Sequence, residues 1–269
     1  MRVTVITPSK DQGIYIEHCL RSVHGQTHRD LEHIVLDGMS SDETAEIASR
    51  FPCTFLQRKD SGPAQAINRG LEMATGDIIC WLNADDAFWD PTTLERVVRS
   101  FTDLPEVDAI TGNGYYIDNH GRFVSPIIAS RPDRLSLRWL TRHDTVLQPA
   151  TFWRRNQFRL DETLRFCFDW KLWIDFFQDG KNILYVAEYF ALYRLQPESL
   201  TYQDSASRRH EIYGMIKIFS KRRPQIAWCW FIWRAYQLSE LLNAPTLKAA
   251  ARGANEIMKL MSGDRISST

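Results

Sequence analysis

Strand-like and helix-like segments alternate four times between residues 1 and 101, and this alternation constrains the fold more than any other feature of the chain. The strand-like segments are short apolar runs. The helix-like segments repeat apolar residues at i, i+3, i+4 and i+7, as Ile16, Cys19, Leu20 and Val23 do. Right-handed strand–helix–strand units of this kind predict a mostly parallel sheet. The predicted strands are residues 3–7, 33–36, 54–57 and 77–82.

Two helix starts carry local signals. Ser40 and Glu43 have the spacing of a capping box, which predicts Ser40 as the N-cap of a helix that buries Ile47, Ala48 and Phe51. Asp90 precedes Pro91 and predicts the cap of the next helix.

The second half of the chain predicts a mixed sheet followed by helices. Residues 108–118 and 120–129 indicate a strand pair, and residues 182–195 indicate a further strand. Between them, a helix that begins near Asp169 is expected to bury Trp170, Trp173, Ile174 and Phe177. We expect an α/β domain over residues 1–204, with halves at 1–112 and 113–204, and a helical extension over residues 205–269.

The cysteines and the apolar runs restrict the compartment and the kind of site. Five Cys residues are odd in number, widely spaced and form no CxxC, which favours reduced thiols and argues against a zinc site. No run of about 18 apolar residues predicts a membrane-spanning helix. Residues 1–8 indicate a strand and not a signal peptide. We therefore expect a cytoplasmic protein, with peripheral contact at the inner face of the membrane as an option.

The zero net charge hides an asymmetry between the two predicted parts. Residues 205–269 contain 11 Lys or Arg and 4 Asp or Glu, a net of +7, whereas the preceding residues contain 22 and 29, a net of −7. The extension also clusters Trp228, Trp230, Phe231 and Trp233. Basic, Trp-rich helices suit membrane interfaces, and a docked arm or a homo-oligomer contact are the alternatives.

Asp85 and Asp86 follow the apolar segment 78–82 at its carboxyl end, which is the edge where ligands bind in open α/β sheets. Adjacent carboxylates repel each other unless a cation holds them, and no Gly-rich phosphate loop accompanies this pair. Carboxylate and diphosphate oxygens together suit Mg²⁺ or Mn²⁺. The alternative is a turn that stabilises the backbone locally, although Asp90 is the residue predicted to cap the following helix.

The ordered segments TVITPSK, IVLDGMSSDET, KDSGPAQAINRGLEMATGDIICWLNADD and FDWKLW resemble the family 2 glycosyltransferases, which have a GT-A fold with a Rossmann-like nucleotide-binding half. The resemblance covers roughly residues 1–200. It implies an inverting, metal-dependent enzyme that moves a sugar from a nucleotide-diphospho sugar, UDP-linked in our prediction, to a hydroxyl of a glycan or lipid-linked acceptor. Polysaccharide or glycolipid biosynthesis is the implied context, and no nucleic-acid partner is predicted.

The resemblance also implies roles for individual residues. Asp85 and Asp86 match the metal motif, with Asn83 where many members have Asp. Asp37 is also compatible with a simple Asp-Gly turn, and Arg69 with a solvated charge on a helix. Gln196 stands where the family usually has His, so any contact of that His with metal or phosphate is missing. The implied substrate-binding residues, with Gln148 on the donor sugar or the acceptor, are Thr7, Pro8, Asp37, Asp60, Arg69, Asp85, Gln148 and Arg194.

Asp169 is the second residue of the FDWKLW segment and matches the position of the family's general base. Direct displacement at an anomeric carbon needs one carboxylate that takes the proton of the acceptor hydroxyl. Helix capping is the alternative role, and Asp161, Glu162 and Asp175 lie close by in sequence. Two other protein classes remain open from the sequence: a catalytically silent nucleotide-sugar-binding scaffold at a membrane surface, and a metal-dependent nucleotidyltransferase, which would not need Asp169.

Overall fold

The computed structural model describes residues 1–128, 135–141, 144–196, 205–220 and 223–261. The chain divides into two compact units, Met1–Ser199 and Leu200–Thr269. The predicted boundary after residue 204 lies outside the described residues. The predicted boundary at 112/113 falls within a strand, Ala109–Ile117.

The described part of the first unit contains nine strands and six helices. Its strands are β1 Val3–Ser9, β2 Leu31–Asp37, β3 Thr54–Gln57, β4 Ile78–Trp81, β5 Ala87–Phe88, β6 Ala109–Ile117, β7 Phe123–Ile127, β8 Thr151–Arg154 and β9 Ile183–Arg194. Its helices are α1 Ile16–His24, α2 Thr44–Ala48, α3 Pro63–Met73, α4 Thr93–Asp103, α5 Leu137–Leu140 and α6 Phe168–Gln178. A 3₁₀ turn, Gln148–Ala150, precedes β8.

The nine strands form one mixed sheet in the order β3-β2-β1-β4-β8-β6-β9-β5, with β7 paired to β6. Strands β3, β2, β1 and β4 are parallel, as the alternation predicts. Strand β8 runs antiparallel to both β4 and β6, and β9 runs parallel to β6. Because β8 is antiparallel to both of its neighbours, β6 and β9 run in the same direction as β4. The carboxyl ends of β1, β2, β4, β6 and β9 therefore meet at one edge of the sheet.

The helices pack on the sheet through the faces that their apolar spacing defines. Ile16, Cys19, Leu20 and Val23 of α1 are all fully buried. Helix α3 comes so close to the sheet that a Cβ on Gly70 would lie 2.6 Å from Cγ2 of Ile6. In α6 Trp170, Trp173 and Ile174 are buried as predicted, but Phe177 is only half-buried, and Phe176 is buried with its ring centroid 4.6 Å from that of Phe158.

The second unit contains three described helices, α7 Ala206–Phe219, α8 Arg223–Leu241 and α9 Pro245–Met261. Ile232, Ala235 and Tyr236 of α8 form a small core with residues of α7 and α9. The ring of Trp233 stacks on Tyr213 of α7 with centroids 5.4 Å apart. Among the described helices, none carries an apolar stretch of the length needed to cross a bilayer.

Candidate active site

Asp86 lies in the loop after β4 and is almost completely buried. One carboxylate oxygen accepts the backbone N–H of Arg194 at 2.9 Å, and the other accepts the side-chain amide of Asn83 at 3.1 Å. Arg194 ends β9, so this contact follows from the common direction of β4 and β9. A buried acceptor that receives two donors is a structural element of the loop as well as a candidate ligand.

Asp85 is half-buried and faces the same partners. Its backbone carbonyl accepts the Nε–H of Arg194 at 2.9 Å, and its Oδ2 accepts the Nε2–H of Gln196 at 2.5 Å. The segment Arg194–Gln196 therefore holds both residues of the carboxylate pair.

Arg194 is buried beneath this loop. Its guanidinium donates to the backbone carbonyl of Asp118 at 2.7 Å and to Nδ1 of His18 at 2.9 Å, and it lies 4.8 Å from the ring centre of Tyr15. Burial, and then the charge of Arg194, lower the pKa of His18, so a neutral imidazole is available to accept the bond. Sequence patterns do not single out His18, because its partner Arg194 lies 176 residues away.

The electrostatics of the carboxylate pair suit a cation. Burial, followed by the neighbouring Asp85, raises the pKa of Asp86 well above its ordinary value, and burial also raises the pKa of Asp85. A divalent ion would favour the charged forms of both. In the part of the chain that the structure describes, no cluster of three or more His, Cys, Asp or Glu could hold a metal alone. The pair therefore fits an ion that takes further oxygens from a diphosphate, as Mg²⁺ sites commonly do.

Asp37 ends β2, and its fully buried carboxylate is occupied by protein donors. Oδ2 accepts the backbone N–H of Ser40 at 2.8 Å and the amide of Gln57 at 2.9 Å, and Oδ1 accepts the hydroxyl of Ser40 at 2.5 Å. The capping-box prediction is therefore wrong: Ser40 donates to a carboxylate three residues earlier, and α2 starts at Thr44 with its amide bonded to Asp42. The turn role of Asp37 is visible, and its contact with a base stays a prediction.

Asp60 and Arg69 are brought together by α3. They form an ion pair at 2.5 Å, and their side chains are only 7% and 16% exposed. Arg69 is thus not a solvated helix charge.

Thr7 and Pro8 lie near the carboxyl end of β1. The hydroxyl of Thr7 is buried and pairs with Nε2 of His33 at 2.9 Å, while Nδ1 of His33 lies 3.2 Å from Nε2 of His24. Burial, and then His24, lower the pKa of His33 to about 3, so His33 is neutral. The whole of Thr7 is buried and its hydroxyl is taken, so its contact with a ligand stays a prediction, whereas Pro8 is partly exposed.

Gln148 supports the carboxylate loop from the 3₁₀ turn. Its amide donates to the carbonyl of Trp81 at 2.8 Å, and its Oε1 accepts from Asn83 at 3.3 Å. Asn83 thereby connects Gln148 to Asp86.

Asp169 is the second residue of α6 and is half-buried. The capping alternative is wrong, because Cys167 occupies the N-cap position, and Asp169 accepts the N–H of Trp170 at 2.8 Å within the first turn. Phe168 packs against Trp81 with ring centroids 6.1 Å apart. Trp81 ends β4, so the first turn of α6 lies at the same sheet edge as the carboxylate loop.

The three carboxylates that compete with Asp169 in sequence are engaged elsewhere. Asp161 accepts the hydroxyl of Thr163 at 2.6 Å. Glu162 accepts the amides of Gln65 and Asn68 at 3.1 and 2.9 Å. Asp175 pairs with Lys171 at 2.7 Å.

Asp144 is a carboxylate near the site that the sequence does not single out. Solvent reaches Asp144, yet the surrounding protein desolvates its carboxylate. This desolvation, followed by the charge of Asp169, raises the pKa of Asp144 well above its ordinary value. No motif marks Asp144, because its proximity to Asp169 depends on how the segment before the 3₁₀ turn folds back.

Comparisons with known proteins agree with the resemblance. The family described as Glycosyl transferase family 2 matches residues 4–177. A PGL/p-HBAD biosynthesis glycosyltransferase of Mycobacterium tuberculosis is 33% identical over 116 residues, which are 41% of this chain and 45% of that protein. The chain thus spans about half the length of the curated relatives it matches.

Solved structures share the fold at low identity. Residues 1–349 of TarS from S. aureus, in complex with UDP-GlcNAc, give a TM-score of 0.64 at 17% identity, covering 85% of this chain and 70% of that one. The mannosyltransferase PcManGT from Pyrobaculum calidifontis, in complex with GDP-Man and Mn²⁺, gives 0.61 at 19% identity, covering 98% and 79%. The fold is therefore the GT-A fold with added C-terminal helices.

Proposed function

The chain belongs to glycosyl transferase family 2, and on that premise we propose that it is an inverting enzyme that transfers a sugar from a UDP-linked donor to an acceptor hydroxyl. One observation carries this proposal: the carboxylate pair Asp85–Asp86 and the half-buried Asp169 lie at the same edge of the sheet. Inversion in one step needs two things: positive charge that neutralises the leaving diphosphate, and one base that accepts the proton of the acceptor hydroxyl.

Asp169 would accept the proton of the acceptor hydroxyl as that oxygen attacks the anomeric carbon. Asp85 and Asp86 would hold Mn²⁺ or Mg²⁺, which supplies charge neutralisation for the departing diphosphate. Mn²⁺ and a nucleotide sugar are both present in the complex of PcManGT, which supports a divalent ion for this fold. The raised pKa values of the pair give the independent physical reason.

The donor nucleotide would lie along the carboxyl ends of β1, β2 and β3. Thr7 and Pro8 would position the end of β1 beside it, and Asp37 and Asp60 would shape the loops around the base. Arg69, Gln148 and Arg194 would act mainly through the residues they hold, since each is already bonded to a loop of the site.

Calorimetric titration with UDP in Mn²⁺ and in EDTA tests the donor and the metal together. We expect tight binding in Mn²⁺, weak binding in EDTA, and loss of the difference in Asp86→Ala. Equal affinity in both buffers would contradict the metal role. A hydrolysis panel of UDP and GDP sugars with Mg²⁺ or Mn²⁺ then identifies the nucleotide, and binding without any turnover would favour the silent scaffold.

The acceptor would be a glycan or a lipid-linked glycan met at an anionic membrane surface, in polysaccharide or glycolipid biosynthesis at the cytoplasmic face. One face of α8 supports this location. Ile232, Ala235 and Tyr236 pack inward, whereas Trp230 and Leu241, together with Phe231 and Leu238, are exposed. Arg234 lies on the same exposed face. A two-fold contact through α8 would place like charges together, so the net charge of +7 favours anionic lipid over a second copy.

Vesicle co-sedimentation of the full chain tests this location. Anionic vesicles should bind it at low salt and release it at high salt, and neutral vesicles should not. Trp230→Ser combined with Leu241→Ser should weaken binding, whereas Phe123→Ser, which removes an even more exposed ring from the first unit (63% against 48% for Trp230), should not. If the variants bind alike while light scattering shows a dimer, α8 is an oligomer contact instead.

A further inference from the structure

Gln196 is a buried amide in direct contact with the carboxylate pair. It is 3% exposed, and its Nε2–H donates to Oδ2 of Asp85. It lies two residues after Arg194, whose side chain and backbone hold the carbonyl of Asp85 and the carboxylate of Asp86. The contact spans 111 residues of sequence, so it depends on β9 ending beside the carboxylate loop.

A carboxylate with one oxygen occupied by an amide donor offers its other oxygen to a ligand. The bond also fixes the rotation of the side chain, because the amide of Gln196 is itself held in a buried position. Such partners of ligating carboxylates orient them, and their loss typically weakens metal binding on the order of 10–100-fold.

We propose that Gln196 is a positioning residue for the divalent ion: its amide holds Oδ2 of Asp85 so that Oδ1 faces the ion. This inference rests on the proposed metal role of Asp85. It differs from a ligand role for position 196, since Gln196 acts through Asp85 and not by touching the ion.

Direct titration of Mn²⁺ by electron paramagnetic resonance, in the presence of UDP, tests the inference without relying on activity. Gln196→Met keeps the side-chain volume and removes the donor, and we expect Mn²⁺ affinity to fall on the order of 10–100-fold. UDP affinity in EDTA should stay unchanged.

Gln26→Met is the matched control. Gln26 is 1% exposed, and its amide donates to the carbonyls of Ser22 and Asp90, so the same substitution removes buried hydrogen bonds away from the carboxylate pair. We expect it to lower thermal stability and leave Mn²⁺ affinity unchanged. This separates positioning of the ion from a general loss of packing, including the case in which Gln196→Met is itself less stable.

A double-mutant cycle with Asp85→Ala decides whether Gln196 acts through Asp85. If it does, Gln196→Met has no further effect on Mn²⁺ affinity once Asp85 is removed. Two outcomes overturn the inference without contradicting the metal site. In one, Gln196→Met lowers Mn²⁺ affinity as much in the Asp85→Ala background as in wild type; in the other, Gln196→Met binds Mn²⁺ as tightly as wild type. If the wild-type protein binds no Mn²⁺ with UDP, the proposed metal function itself fails.

Discussion

The carboxylates on the proposed donor side of the sheet edge are held differently from Asp169 on the proposed acceptor side. Each donor-side carboxylate accepts a bond from a residue outside its own turn; the pairs are Asp37 with Gln57, Asp60 with Arg69, Asp85 with Gln196, and Asp86 with Arg194. Asp169 is half-buried and bonds the next amide of its own helix. We infer that donor-side substitutions damage fold and binding together, whereas Asp169→Asn, which keeps the acceptor for the N–H of Trp170, removes the base at little cost in stability.

The largest expected effect is that of Asp169→Asn. The amide keeps the shape of the side chain and its acceptor for the N–H of Trp170, but it cannot take a proton. Turnover should fall on the order of 10²–10⁴-fold, with donor affinity and melting temperature close to wild type. Steady-state kinetics, UDP calorimetry and a thermal melt check the three parts. A large fall in melting temperature would show that the two sides are not held differently.

Arg69→Met should show the opposite pattern on the donor side. It leaves the 7%-exposed carboxylate of Asp60 without its cation, and breaking a buried pair from one side costs about 3–5 kcal/mol. Urea denaturation should therefore show a clear loss of stability. Adding Asp60→Asn should restore much of it, because the stranded charge is gone. Wild-type stability with weakened UDP binding would instead place Arg69 on the donor diphosphate.

His33 predicts a donor-side sensitivity to acid. Its pKa is about 3 in the fold against an ordinary 6.5, so the unfolded state binds the proton first, and stability falls as pH drops from 6.5 toward 3. The loss amounts to about 1.4 kcal/mol per pH unit for this group. His33→Gln should remove this contribution. Between pH 6.5 and 5 its free energy of unfolding, measured by urea titration, should therefore fall by about 2 kcal/mol less than that of wild type. Thr7→Val removes the hydroxyl partner and keeps the imidazole, so it should lower the free energy of unfolding without changing its dependence on pH. If His33→Gln and wild type show the same dependence on pH, His33 is not the group responsible.

The same two sides explain what the sequence could predict. Strand and helix order depends on local spacing, and the predicted parallel core and the position of Asp85 and Asp86 after β4 are confirmed in the structure. The hydrogen bonds from Arg194 to Asp85 and Asp86 could not be predicted from the sequence. They depend on two reversals of strand direction between β4 and β9. The capping-box prediction for Ser40 was wrong for a related reason. A capping signal is local in sequence, whereas the Asp37 carboxylate that accepts the Ser40 hydroxyl is oriented by β2 and by the amide of Gln57.

The smallest expected effect belongs to Asp175→Asn, the matched partner of Asp169→Asn on the same helix. Asp175 pairs with Lys171 one turn earlier, both side chains are about a quarter exposed (28% and 26%), and lysine preceding the acid is the weaker orientation. Losing the pair should cost less than about 0.5 kcal/mol. Turnover should stay within about twofold of wild type, because the carboxylate of Asp175 is bound in an ion pair with Lys171. The base in our proposal is Asp169, which lies in the first turn of α6 beside Trp81. Equal kinetic losses in the two variants would mean that the helix as a whole, and not the Asp169 carboxylate, carries the effect; loss in Asp175→Asn alone would move the base to the other end of α6.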